Sequence, residues 1–340
     1  MRTLRQRGPR IALLATLVPL LLGCSGGEAA EVVVYTSVDQ VFSDPVFRSC
    51  GERRGLDVRA VFDTEETKST GVLNRILAEA SHPQADVFWS GDPVRPFVLA
   101  ERGLLEPYLS PSAAAIPAAF RSADGLWTGL AARARVLLVN VELVPGDDGP
   151  ASVRDLADPR WRGQAAIANP IYGTTTMHAA ALFDAWGDVE AQRFFDSVRA
   201  NDTRIAASNG EVKRLVASGE VAFGLTDTDD AQQALREGHP VRVVYPDQTD
   251  IGTLVMPTSV VLLRNGPNPA GGRRLVDCLL EEETERALAE DGTHMPIRAE
   301  VETPEGVLGV ASVRAMDVDY AQVASTLERI QPWLRRWAGV

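Results

Sequence analysis

From residue 31 onward, short apolar β-branched runs alternate with amphipathic stretches. "EVVVYTS" predicts a strand, 41–53 a helix, "LDVRAVF" a strand, 71–80 a helix and "ADVFWS" a strand. A second series comes later: "GQAAIAN", a helix over 174–186, "TRIAAS", a helix through "EVKRLVAS", "VAFGLT", a helix to about Gly238, and "VRVVYP". Continuous apolar strands between helices predict parallel sheets covered on both faces. Two such series predict two α/β lobes, each with its own sheet. Two longer extended segments break the alternation, "WTGLAARARVLLVN" (127–140) and "GTLVMPTSVVLLRN" (252–265). One precedes the second series and the other succeeds it, which suits two crossover strands forming a hinge. Near the C-terminus, "DYAQVASTLERIQPWLRRW" carries apolar spacing for a helix over about 319–338 that docks on a lobe.

The first residues, "MRTLRQRGPRIALLATLVPLLLGC", change the picture. Arginines lead an apolar stretch over 11–22, too short for a comfortable membrane span of roughly 20 residues. Basic then apolar is the order of a secretory signal. The closing "LLGC" resembles the lipobox of bacterial lipoproteins, which would make Cys24 the lipidated N-terminus of an exported, periplasmic protein and 24–30 a short tether. Removing 1–23 takes away four arginines and no acid, so the formal charge moves from −12 to −16. Such a domain repels nucleic acid and anionic head groups, leaving the lipid as its membrane contact. Two cysteines remain, Cys50 and Cys278, and an isolated pair in an oxidising compartment is a disulfide candidate.

In open α/β sheets, ligands bind beyond the carboxyl ends of the parallel strands. The turns there read "TSVDQ" (36–40), "SGDP" (90–93), "NPIYGTTT" (169–176), "SNGE" (208–211) and "TDTDD" (226–230). Helix capping explains about half of these residues, since such side chains accept hydrogen bonds from orphan N–H groups. Asp92 before Pro93 is a good cap. The same caps would gather helix N-termini around one point, where anions are favoured. Candidate ligand contacts are Ser37, Asp39, Ser90, Asp92, Gly173, Thr174, Thr175, Asn209, Thr226, Asp227 and Asp229. Threonines at 174–176 suit an anion, whereas Asp39, Asp92, Asp227 and Asp229 suit a cation or an ammonium. Such a pocket fits a ligand bearing both charges, or a metal held with an anion. Arg133 and Arg135, on one face of a strand, supply either countercharge or surface ion pairs. His82, His178, His239 and His294 show no HxxxH or HxH spacing, so a zinc-type site is not indicated. His178 faces the pocket or is a structural histidine.

An apolar strand ending in D-T-D also resembles the first motif of haloacid-dehalogenase-type phosphatases, with Asp227 as nucleophile and Asp229 as general acid beside magnesium. That motif normally lies on a first strand, and no convincing partner lysine and downstream acid pair accompany it here. The blocks "VVVYTSVDQVFSDPVF", "ADVFWSGDP", "LAERGLLEP", "WTGLAARARVLLVN", "LADPRWRGQAAIANP", "SNGEVKRLVASGEVAFGL" and "GTLVMPTSVVLL" run in order over nearly all of the mature chain. In that order they resemble the periplasmic ferric-ion-binding proteins, within a wider family of solute-binding proteins of ABC importers.

The resemblance implies a type II periplasmic-binding-protein fold, with lobe 1 at 31–128 plus 252–310 and lobe 2 at 129–251 plus 311–340. It implies a non-enzymatic, monomeric protein with no cofactor, carrying Fe3+ with a synergistic anion to a membrane permease and its ATPase. A sensor using the same trap is the remaining variant. One departure bears on the cargo. The family's two iron-binding tyrosines map onto roughly Thr228 and Asp229, its first-lobe histidine near Asp39 and its glutamate near Gly91–Asp92. Phenolate ligation is therefore not offered at the expected place. Either carboxylates at Asp39, Asp227 and Asp229 hold the metal, or the cargo is a relative's, such as 2-aminoethylphosphonate or a sugar phosphate.

Overall fold

The computed structural model describes residues 30–63, 71–146, 148–171, 173–290, 294–303 and 306–339. The signal segment and Cys24 lie outside the described residues. The first α/β series forms β1 (Ala30–Thr36), α1 (Gln40–Arg54), β2 (Leu56–Phe62), α2 (Gly71–Ala78), β3 (Val87–Ser90) and α3 (Arg95–Glu101). β1 pairs in parallel with both β2 and β3. The second series begins after β4 (Thr128–Asn140). It comprises β5 (Ala165–Ala168), α4 (Gly173–Trp186), α5 (Asp188–Ala200), β6 (Arg204–Ala206), α6 (Asn209–Ala217), β7 (Phe223–Asp227), α7 (Thr228–Arg236) and β8 (Val241–Val244). β5 pairs in parallel with β6 and β7. β9 (Val255–Leu262), α8 (Pro269–Leu279), α9 (Glu282–Glu290) and α10 (Tyr320–Ala338) complete the chain.

The two long apolar segments join the sheets. β9 runs antiparallel to β3, and β4 runs antiparallel to β9 along its first half and to β7 along its second. All of β9 and nearly all of β4 are buried, which explains their unbroken apolar sequences. The shared strand bends at a bulge between Leu130 and Ala132, where Ala131 sits fully buried at φ +44°. An L-residue with a side chain rarely adopts that conformation, and a bulge re-aims the side chains beyond it, here Arg133. The strand "VRVVYP" differs from expectation, because it does not extend the parallel series. β8 instead pairs antiparallel with β4, where its register buries Val241 beside Asn140. The helix α5 also has no counterpart among the predicted elements.

Helix packing on the sheets is close. A Cβ on Gly224 of β7 would lie 2.4 Å from a methyl of Val212 on α6, so only glycine lets that helix approach its strand. α10 lays Trp333 and Trp337 against Phe183 and Phe195 of α4 and α5, and Tyr320 against Trp127. Across the molecule, Cys50 of α1 and Cys278 of α8 form a disulfide, with the Arg53 guanidinium 3.2 Å from the Cys278 sulfur.

Candidate functional site

The carboxyl ends of β1 and β3 are tied to each other. Thr36 donates its hydroxyl to the Trp89 carbonyl (2.9 Å), and Ser37 Oγ accepts from Gly91 N–H (2.9 Å). Gly91 lies so close that a Cβ there would sit 2.9 Å from the Ser37 carbonyl. Asp92 accepts from Val94 and Arg95 N–H, opening α3, and Ser90 Oγ accepts from Asp92 N–H. Ser37, Ser90 and Asp92 thus shape this wall. Asp39 precedes α1 without capping it, half-buried.

On the other sheet a buried arginine organises the turns. Arg135 has no exposed side-chain surface. It donates to Asp227 Oδ1 (2.6 Å), Asn209 Oδ1 (3.0 Å), Thr174 Oγ1 (3.1 Å) and Thr175 Oγ1 (3.2 Å). Asp227 Oδ2 accepts from Thr174 (2.8 Å) and Asn209 (3.1 Å). Three of the predicted turns thus close around one ion pair: the start of α4, the start of α6 and the end of β7. Gly173 opens α4 at φ +66° and is exposed. Thr226, wholly buried, reaches the Asn209 carbonyl and Asp230, so it holds the turn from beneath.

Arg133 spans the gap between the walls. Its guanidinium donates to Asp229 Oδ2 (3.1 Å) on α7 and to the Gly91 carbonyl (2.9 Å) beyond β3, and lies 3.5 Å from Asp227 Oδ2. Burial works against its charge, but Asp229, Asp227 and Asp39 outweigh that and hold its pKa above the ordinary value. Surface pairing of Arg133 and Arg135 is thereby excluded. His294, packed edge-on against Phe42 in the first turn of α1, faces the same charges. Burial and then Arg133 push its pKa down to about 4, against the pull of Asp229 and Asp39. Nothing in the spacing of His294 marks it for this position. His178, in the first turns of α4, is pushed down to about 3 by burial and then by Arg135. Both imidazoles are neutral near pH 7. Burial, Asp229 and Asp227 together raise the Asp230 carboxyl well above the usual carboxylate range.

Four buried polar atoms here lack a hydrogen-bond partner among the described residues: Arg135 Nε, Thr176 Oγ1, His178 Nδ1 and Asp229 Oδ1. Unsatisfied buried groups are rare, and each calls for an explanation such as a bound water or ion. Among the described residues no group of three or more His, Cys, Asp or Glu is placed to hold a metal ion. Arg133 pairs with Asp227 and Asp229, and Arg135 with Asp227. Nor is Asp227 placed as a nucleophile, being 2% exposed with both oxygens engaged.

Known proteins share this arrangement of chain. The family described as "Bacterial extracellular solute-binding protein" matches residues 83–322. Iron uptake protein A1 of Synechocystis sp. is 28% identical over 287 residues, which cover 81% of this chain and 78% of that protein. A putative 2-aminoethylphosphonate-binding periplasmic protein of Salmonella typhi is 25% identical over 343 residues, covering 97% and 94%. The crystal structure of iron-bound HitA from Pseudomonas aeruginosa superposes with a TM-score of 0.81 at 22% identity, covering 92% of this chain and all of that one. The fold is the two-lobe fold of those periplasmic binding proteins, with β4 and β9 as the crossover strands.

Proposed function

The chain belongs to the bacterial extracellular solute-binding proteins, and from that premise we propose that it is the solute-capturing component of an ABC importer. The lobes are 31–128 plus 252–310 and 129–251 plus 311–340, closing about β4 and β9. The exported chain acts as a monomer, held to a membrane by lipid on Cys24, and delivers its cargo to a permease and ATPase. It binds its cargo and does not transform it.

The observation that carries the ligand class is the interleaving of two arginines with the acids of the site. The start of α4 offers backbone N–H groups to an oxyanion, and Thr174, Thr175 and Asn209 hold the Arg135–Asp227 pair beside it. Asp229 on the same wall and Asp39 on the facing one offer carboxylates to an ammonium. The cargo this supports best is a small phosphorus oxyanion with an amine, such as 2-aminoethylphosphonate, the compound named for the Salmonella relative. A second reading is ferric iron with a synergistic anion at the same helix start, favoured by the iron uptake relative. In that case the arginines must leave the carboxylates on loading.

Differential scanning fluorimetry separates the two. Saturation at a hundred times Kd adds about 2.7 kcal/mol to stability. A clear rise in melting temperature is expected with 2-aminoethylphosphonate and a smaller one with inorganic phosphate. A rise with ferric citrate and none with either phosphorus compound would replace the first reading by the second. No response to any of the three would remove both.

A further inference from the structure

We propose that Arg133 sets the cargo class, occupying the carboxylates that would otherwise ligate a metal ion and presenting its remaining N–H groups to the anion of the solute. This rests on the phosphonate reading of the site. Arg133 alone among the described site residues is seen to join the two walls, donating to the Gly91 carbonyl on one and to Asp229 on the other. Its position is set by the bulge at Ala131, two residues earlier in the hinge strand. A strand without the bulge would turn residue 133 to the other face.

Charge and geometry then act together. A hard trivalent cation needs several anionic oxygens at once, and Asp229 and Asp227 are the acids that pair with Arg133. Arg133 lies within 3.5 Å of both, so a metal ion would meet a fixed positive charge between its ligands. A guanidinium does not lose its proton to make room. An oxyanion meets no such obstacle, because charge-assisted N–H bonds to it are strong. The Arg133 side chain keeps 14% exposure. His294, neutral and adjacent, adds no charge that would repel either class of cargo.

Wild type, Arg133→Gln and Arg133→Gln/Asp229→Asn are titrated by calorimetry with 2-aminoethylphosphonate and with gallium(III) nitrilotriacetate, after melts have shown each folded. Arg133→Met replaces any glutamine variant that does not fold. Wild type is expected to bind the phosphonate and take up no gallium. Arg133→Gln should bind the phosphonate at least about tenfold more weakly, the loss of one charge-assisted contact, and gain stoichiometric gallium. The double variant should lose that gallium again. Gallium uptake by wild type equal to that of Arg133→Gln, no uptake by the folded variant, or uptake surviving Asp229→Asn would each overturn the inference. Should wild type ignore the phosphonate while Arg133→Gln still gains gallium, the proposed phosphonate cargo fails and the role of Arg133 stands.

Discussion

The buried pair Arg135–Asp227 gives the sharpest test of how the second wall is held. Asp227→Asn keeps the shape and removes one charge. Both carboxylate oxygens of Asp227 receive donors: Arg135 on one, Thr174 and Asn209 on the other. An asparagine must therefore turn its NH2 toward a donor at one of the two positions. The Thr174 hydroxyl can turn away, but its oxygen already accepts from Arg135 and Asn209, so the new amide gains no partner there and the Asn209 amide is left with Thr174 alone. Meanwhile Arg135, with no exposed side-chain surface, keeps its charge without its counterion. Stranding one member of a buried pair costs about 3–5 kcal/mol. Arg135→Met strands Asp227 less completely, because Arg133 at 3.5 Å and two neutral donors remain. Its cost should be roughly 2–3 kcal/mol, typical of a lost hydrogen bond to a charged group. Combining the two changes should cost less than the sum, since each removes what the other strands. Urea unfolding monitored by circular dichroism, with m-values compared across the four proteins, measures all three quantities. An Asp227→Asn cost under about 1 kcal/mol with an additive double variant would refute this account, since a buried charge cannot be stranded so cheaply.

Acid should weaken the fold through its two buried imidazoles. Both are held far below the usual histidine value of about 6.5, so between that value and about 4 the unfolded chain binds more protons and stability falls as pH falls. Asp230, with its raised pKa, pulls the opposite way, so Asp230→Asn should make the loss between pH 7 and pH 5 steeper in urea midpoints. A shallower loss in that variant would contradict the assignment. Replacing Cys50 and Cys278 by serine opens a link between residues 228 apart and should cost on the order of 5 kcal/mol in the chain-entropy account, read as a large drop in melting temperature without change of fold. At the hinge, Ala131→Gly should change stability by less than about 1 kcal/mol, whereas Ala131→Val should cost more than about 2 kcal/mol, because a β-branched residue resists positive φ. Equal effects would mean the bulge is not maintained.

How far the sequence discloses this site depends on the range of the interaction. Local signals read well. Asp92 accepts from the Val94 and Arg95 N–H groups where α3 begins, although Val94 holds the N-cap position, Ser208 does cap α6, and the polar turns after β5, β6 and β7 do meet. Each rests on a side chain within a few residues of its partner, or on the rule that parallel strands end together. The short run "VRVV" is ambiguous because four apolar-patterned positions fit a parallel and an antiparallel neighbour equally. The arginines are harder still. Arg133 and Arg135 alternate with alanine and valine on β4, a pattern that reads equally as one solvated face or one buried face. Their partners Asp229 and Asp227 lie 96 and 92 residues further along, so no spacing announces the pairs. Burial of a charge is decided by what tertiary structure brings to it. The same holds for His294, which becomes part of the site only because the chain returns past α9 to lie against α1. The acids near the cleft are visible in the sequence. That those acids face guanidinium groups of the chain itself is seen only in the fold.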